Sequence, residues 1–230
     1  PAGPPPERAR RAPGPVMLQL RGVTVDGPGS DRVDEAELTL RNRQIVGIAG
    51  VGGNGQQALA EAIVGLRPLR AGAIRLGETH LAGRDVAARR ALGVRYVPSD
   101  RAAFALAPNA SVNDNIAAAA VRQGRLGRYV LSPARIRAHA RALTEVFTIA
   151  GVTGGGNRPV RLLSGGNAQK VVLARELDAE ARLIVVHSPT RGLDVAACRH
   201  VHSRLTEAAA RGAVVLLISE DLEEILALSD

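Results

Sequence analysis

Apolar and polar residues alternate from Leu18 to Val25 and again from Ala36 to Leu40, the period of half-buried strands, and Gly27-Pro28-Gly29-Ser30 makes a loop between them. Ile45 to Ala49 is an unbroken apolar run that predicts a buried parallel strand, and Ala58 to Leu66 reads as a helix. Ala73 to Leu76 and the segment around Leu81 predict a short hairpin, Asp85 to Leu92 a short helix, and Gly93 to Val97 a strand. Ser111-Val112-Asn113-Asp114 has the form of a capping box with a shortened acid and opens a helix to Ala120. Ser132-Pro133 opens another, running to Ile149, because proline suits the first helical position. Gly154 to Gly156 predicts a flexible loop, and Val171 to Leu177 another helix. Arg182 to Val186 and Ala213 to Ile218 are buried strands flanking a helix from Val195 to Ala210, for which Asp194 is the N-cap.

Composition narrows the class. A chain of 230 residues, 46% apolar and 23% charged, suits one sizeable globular domain, and the 2% aromatic content means a core of Val, Leu, Ile and Ala. The single cysteine, Cys198, excludes an internal disulfide and suits a cytosolic compartment; it reads as a small buried apolar residue rather than a nucleophile. No apolar run reaches transmembrane length, and Pro1 to Pro15 lacks the apolar stretch of a secretory signal. That proline- and arginine-rich opening (1–15) reads as a disordered linker. The net charge of +8 raises the question of nucleic acid, but the basic residues are scattered arginines, with Lys170 the only lysine. Nucleic acid is therefore not expected as a partner. His200 and His202 stand two apart on a helix and face different ways, so no metal pair is expected.

Two glycine-rich stretches carry the candidate chemistry. Gly50-Val51-Gly52-Gly53-Asn54-Gly55-Gln56-Gln57 lies between a strand and a helix, with the five-residue step from Gly50 to Gly55 of a phosphate-binding loop. In Leu163-Ser164-Gly165-Gly166-Asn167-Ala168-Gln169-Lys170 a serine N-cap is followed by two residues without Cβ. An anion can there approach bare amides at the positive end of a helix dipole. Either alone also fits a plain capped turn.

Together with their neighbours these stretches resemble the ABC-transporter ATPases. LSGGNAQKVVLAREL is similar to the family's signature motif, in the LSGGNQQK form of importers for simple sugars and nucleosides. GVGGNGQ resembles the loop of the second ATPase half of such importers, and Tyr96-Val97-Pro98-Ser99-Asp100-Arg101 their YVPEDR. His187-Ser188-Pro189-Thr190-Arg191-Gly192-Leu193-Asp194 is similar to DEPTRGLD, and Ser219-Glu220 stands where a serine–histidine switch is common. The resemblance covers Val16 to Asp230 and implies an α/β, P-loop NTPase-like domain. It implies a mainly parallel core sheet, a small antiparallel β subdomain, and a helical subdomain at about 100–165. Members carry a further strand and helices, so the C-terminus is expected to be truncated.

The resemblance also implies roles. Gly50, Gly52, Gly53, Asn54, Gly55, Gln56 and Gln57 would bind the nucleotide. Ser164, Gly165, Gly166, Asn167 and Gln169 would close over ATP held by another ATPase domain, with Asp194 as the D-loop acid. Gln56 replaces the phosphate lysine, Gln57 the Mg²⁺-binding hydroxyl and Ser99 the Q-loop residue. His187 replaces the Walker B aspartate, Ser188 the catalytic glutamate and Glu220 the switch histidine. No adenine-stacking aromatic lies between Leu18 and Gln44. Phosphoryl transfer depends on positioned charge, and losing one such group commonly costs about 10² to 10³ in rate. The expectation is an ATP-binding half of a sugar or nucleoside importer whose own site is degenerate, with Mg²⁺ at the partner's site. Expected partners are a second ATPase domain, transmembrane permease subunits and, indirectly, a solute-binding protein, with the chain peripheral on the cytoplasmic face of the cell membrane. An ordinary ATP-hydrolysing importer ATPase, a permease scaffold and a basic nucleic-acid-binding ATPase are the alternatives.

Overall fold

The computed structural model describes residues 14–127, 130–178 and 180–230. Contacts divide the chain into two compact units, one of Pro1–Arg95, Ala181–Ser188 and Leu205–Asp230, the other of Tyr96–Glu180 and Pro189–Arg204. Most of the expected linker (1–13) lies outside the described residues. Gly14 and Pro15 are hydrogen-bonded to Asn42, as donor at 3.2 Å and acceptor at 3.0 Å.

Two four-stranded sheets lie in the first unit, apart from the last two residues of β6. In one, β1 (Val16–Val25) pairs antiparallel with β2 (Val33–Arg41) and β4 (Ala71–Leu76), and β5 (Thr79–His80) completes the edge. Every other residue of β1 from Leu18 to Leu20 and from Val23 to Val25 is buried, as the alternation predicts; register shifts between Leu20 and Val25 separate the two runs. In the other sheet the order is β3 (Ile45–Ala49), β8 (Val214–Ser219), β7 (Leu183–His187) and β6 (Val94–Val97). β8 runs parallel to both β3 and β7. Every residue of β7 and β8 is buried, which is why these strands read as continuous apolar runs.

β3 departs from the expected burial. It lies at the edge of this sheet, with Ile45 buried, the middle residues half-buried and Ala49 exposed. Helix α8 (Leu222–Leu228) packs on it at Gly47, where an added Cβ would lie 2.8 Å from Ile225 and 2.3 Å from Ser229 Oγ. Helix α1 (Gln56–Val64) begins two residues earlier than the apolar spacing predicts and turns Ala58, Ala60, Ala62 and Ile63 inward. Arg89, on helix α2 (Val86–Ala91) and 5% exposed, donates to the carbonyls of Ala62, Ile63, Leu81 and Arg84 at 2.6–2.9 Å. It thereby caps the C-terminal end of α1, and burial pulls its pKa below the ordinary arginine value.

The second unit is helical: α3 (Arg101–Phe104), α4 (Val112–Arg122), α5 (Pro133–Val146), α6 (Gly165–Leu177) and the first ten residues of α7 (Val195–Ala210). The predicted caps form. Ser111 Oγ accepts from Asp114 N at 3.0 Å, Ser132 Oγ from Arg135 N at 3.4 Å, and Asp194 Oδ1 from Ala197 N at 2.8 Å. Helix α5 stops at Val146, three residues short of the expectation, where Thr148 takes a left-handed φ of 49°. Gly154–Gly156 forms a 3₁₀ turn, and Asn113 Nδ2 donates to Gly155 O at 2.7 Å. Asn115, 3% exposed, bonds to Ala107 N and to the carbonyls of Ala107, Ala110 and Ser111, which fixes the approach to α4. Among the described residues no helix is long and apolar enough to cross a membrane.

Candidate functional site

The glycine loop between β3 and α1 has the backbone of a phosphate cradle. Gly55 caps α1 with a φ of 89°, and an added Cβ there would lie 2.3 Å from Arg32 O, so glycine is required. The loop's side chains, however, turn back on the loop itself. Gln56, 9% exposed, accepts from Asn54 N at 3.0 Å and donates through Nε2 to Val51 O at 3.1 Å. Asn54 Nδ2 donates to the same carbonyl at 3.1 Å, and Ser30 Oγ donates to Gly53 O at 2.5 Å.

Two carboxylates stand at the ends of the cradle. Glu220 Oε1 accepts from Gly52 N at 3.1 Å, and Asp31 Oδ1 accepts from Ala58 N in the first turn of α1 at 3.3 Å. Asp31 is shared with Arg67 at 3.3 Å, which also pairs with Glu61 at 2.7 Å. Glu220 is set by the start of α8, where Asp221 caps Glu223 N and Glu224 N. Ser219 Oγ beside it donates to the buried Glu224 at 2.7 Å.

At the positions that the resemblance gives to a divalent metal, Gln57 and His187 supply neither the hydroxyl nor the carboxylate that would hold one. Gln57 offers a carboxamide in place of a hydroxyl, and its Nε2 donates to Glu61 Oε1 at 2.7 Å. His187, 8% exposed, ends β7, and Ser188 follows with a left-handed φ of 48° and its N–H on Ile218 O at 2.8 Å. Neither brings a carboxylate. For nucleotide phosphate the cradle offers backbone amides without a cation in the loop.

The second unit holds the other predicted residues. Ser164 caps α6, accepting from Asn167 N at 3.4 Å and from Asn167 Nδ2 at 2.9 Å. Asn167 Oδ1 in turn accepts from Ala150 N at 2.8 Å. Gln169 is 1% exposed, and its Nε2 donates to Pro189 O at 3.0 Å, anchoring the segment that carries Asp194. Thr190 to Leu193 is a turn closed at 3.0 Å with Gly192 at a φ of 75°. Asp194 lies below the usual carboxylate range because Ala197 N–H hydrogen-bonds to it; desolvation opposes this, and the charge of Lys170 adds to it.

Sequence reasoning missed the arginines beside this helix start. An added Cβ at Gly165 would lie 2.7 Å from the Arg101 guanidinium, which donates to Arg191 O at 3.5 Å. Arg101 and Arg191 line a cavity of about 470 Å³ with Ser99, Asp100 and Gly192. Asp100 caps α3, accepting from Ala102 N and Ala103 N at 3.0 Å, so its carboxylate is spent on the backbone. The advance signal was their place in the stretches similar to YVPEDR and DEPTRGLD, where an arginine follows each of two Pro-containing strand ends. Cys198 is half-buried rather than fully buried, with Sγ 3.9 Å from Leu193 O. His200 packs edge-on against Phe147, with ring centroids 5.3 Å apart.

A family model described as ABC transporter matches residues 33–191. The glucose import ATP-binding protein of Haloferax volcanii is 42% identical over 97% of this chain and 41% of its own length. The nucleoside import ATP-binding protein of Lactococcus lactis is 37% identical over 97% of this chain and 44% of its own. The chain thus spans about two-fifths of the length of these curated relatives. Among solved structures, a dimeric ATP-binding cassette in a post-hydrolysis state with ADP and Pi superposes with a TM-score of 0.76 at 20% identity, covering 91% of this chain and 90% of that one.

Proposed function

The chain belongs to the ABC transporter family and has its ATPase fold, and from that premise we propose that it is the non-catalytic ATP-binding half of an importer for simple sugars or nucleosides. Ser164, Gly165 and Gly166 present the capped start of α6 to ATP seated on the loop of a second ATPase domain, and Asp194 stands on the segment that Gln169 anchors. Mg²⁺ belongs to that partner's site. The partners are the second ATPase domain and permease subunits, with a solute-binding protein acting through the permease, and the chain sits peripherally on the cytoplasmic face of the membrane. The names of the relatives from Haloferax volcanii and Lactococcus lactis support the solute classes.

The observation that carries the reading is the contrast between the two glycine-rich stretches. At the loop, Gln56 folds back on its own backbone, His187 and Ser188 bring no carboxylate, and the carboxylates present, Glu220 and Asp31, accept from the backbone at Gly52 and Ala58. At α6, the serine cap is formed, Gly165 and Gly166 carry no side chains of their own, and the neighbouring Arg101 guanidinium is a cation rather than an acid. Hydrolysis at the chain's own loop is therefore expected at background. Mixed with a competent ATPase half, the chain should raise turnover, and Gly165→Asp should abolish that gain while leaving the melting temperature within a few degrees. Equal stimulation by the folded variant would overturn the proposal.

A further inference from the structure

The acid at the far end of the cradle does more than fail to replace a histidine. Gln56, at the residue position whose side chain reaches the outer phosphates in a phosphate loop, points to the Gly50–Gly52 end: its Nε2 reaches Val51 O and would lie 2.4 Å from a Cβ on Gly50. The outermost phosphate of a bound nucleotide therefore belongs at that end, and the inner phosphates at Gly53 to Gln57 against the start of α1. Glu220 stands at the outer end. Its Oε1 accepts from Gly52 N, and a Cβ on Gly52 would lie 2.6 Å from that oxygen, so the carboxylate lies directly on the loop backbone. It is held there by the β8–α8 junction, where Asp221 N donates to Ser219 Oγ at 3.1 Å and Asp221 caps α8.

We infer that Glu220 is a specificity-determining residue that makes this loop a nucleoside diphosphate site. Its carboxylate occupies the amide a terminal phosphate would use and repels that phosphate, while a diphosphate ends before reaching it. The inference rests on reading the loop as a phosphate cradle, but not on the chain completing a partner's site. Repulsion between like charges at an exposed site costs about three- to tenfold in affinity, and the cost shrinks with salt.

The test is calorimetric titration of the 230-residue chain with ADP and with ATP, magnesium chelated, at low and high ionic strength. ADP should bind about three- to tenfold more tightly than ATP. Glu220→Gln should raise ATP affinity by about that factor and leave ADP affinity within about twofold. Glu220 is exposed, so both this variant and Glu220→Ala should melt like the parent. ATP binding as tight as ADP in the parent, or a ratio unmoved in both folded variants, overturns the assignment of Glu220. Failure of both nucleotides to bind parent and variants alike overturns the phosphate-cradle reading beneath it. Loss of stimulation of a competent half, by contrast, bears only on the signature helix.

Discussion

Replacing Gln56 by lysine separates what the loop's shape supplies from what its charge supplies. The glutamine makes two hydrogen bonds within the loop, at 3.0 Å to Asn54 N and 3.1 Å to Val51 O. Each is worth about 1 kcal/mol net, so losing both costs about 1–3 kcal/mol. For a chain of this size that lowers the melting temperature by roughly 3–10 °C without nucleotide. A lysine ammonium among phosphates makes charge-assisted bonds worth about 1.5–3 kcal/mol, which is about 10- to 150-fold in Kd. Gln56→Lys should therefore melt earlier alone, bind ATP more tightly, and still hydrolyse it at background, because Ser188 brings no carboxylate to the attacking water. Differential scanning fluorimetry, fluorescent-nucleotide titration and a phosphate-release assay read the three effects separately. A folded variant that binds no more tightly than the parent would refute the cradle as a phosphate site. One that hydrolyses ATP briskly would refute the claim that the missing carboxylate is limiting.

Two further outcomes follow from buried and capping groups. Arg89→Met leaves at least two buried carbonyls without a donor, at about 1–3 kcal/mol each, and should lower stability by roughly 2–6 kcal/mol in denaturant titrations. Asp194 has a carboxyl held below its ordinary value by the Ala197 N–H, so its contribution to stability is present above the usual carboxylate range and is lost as pH falls through its lowered pKa. Asp194→Asn keeps an N-cap, and melting temperatures between about pH 2 and 5 should fall less steeply than in the parent; parallel curves would refute the assignment.

Local sequence determined the elements, because their signals are local. β7 and β8 could be read from unbroken apolar runs, since a strand buried on both faces needs nothing else. The helix starts at Ser111, Ser132 and Ser164 could be read because an N-cap bonds only two or three residues ahead. The order of motifs likewise pointed to the family that the comparison finds. What only the tertiary structure decided are the contacts between residues far apart in the chain. Nothing in Gly50 to Gln57 says that Glu220, 168 residues from Gly52, lays its carboxylate on that loop. Nothing near Gly165 says that Arg101 lies against it, or that Gln169 is buried on Pro189. Periodicity and capping depend on neighbours within a few residues, whereas the charge at a site is set by whichever distant side chains the fold brings within hydrogen-bonding reach.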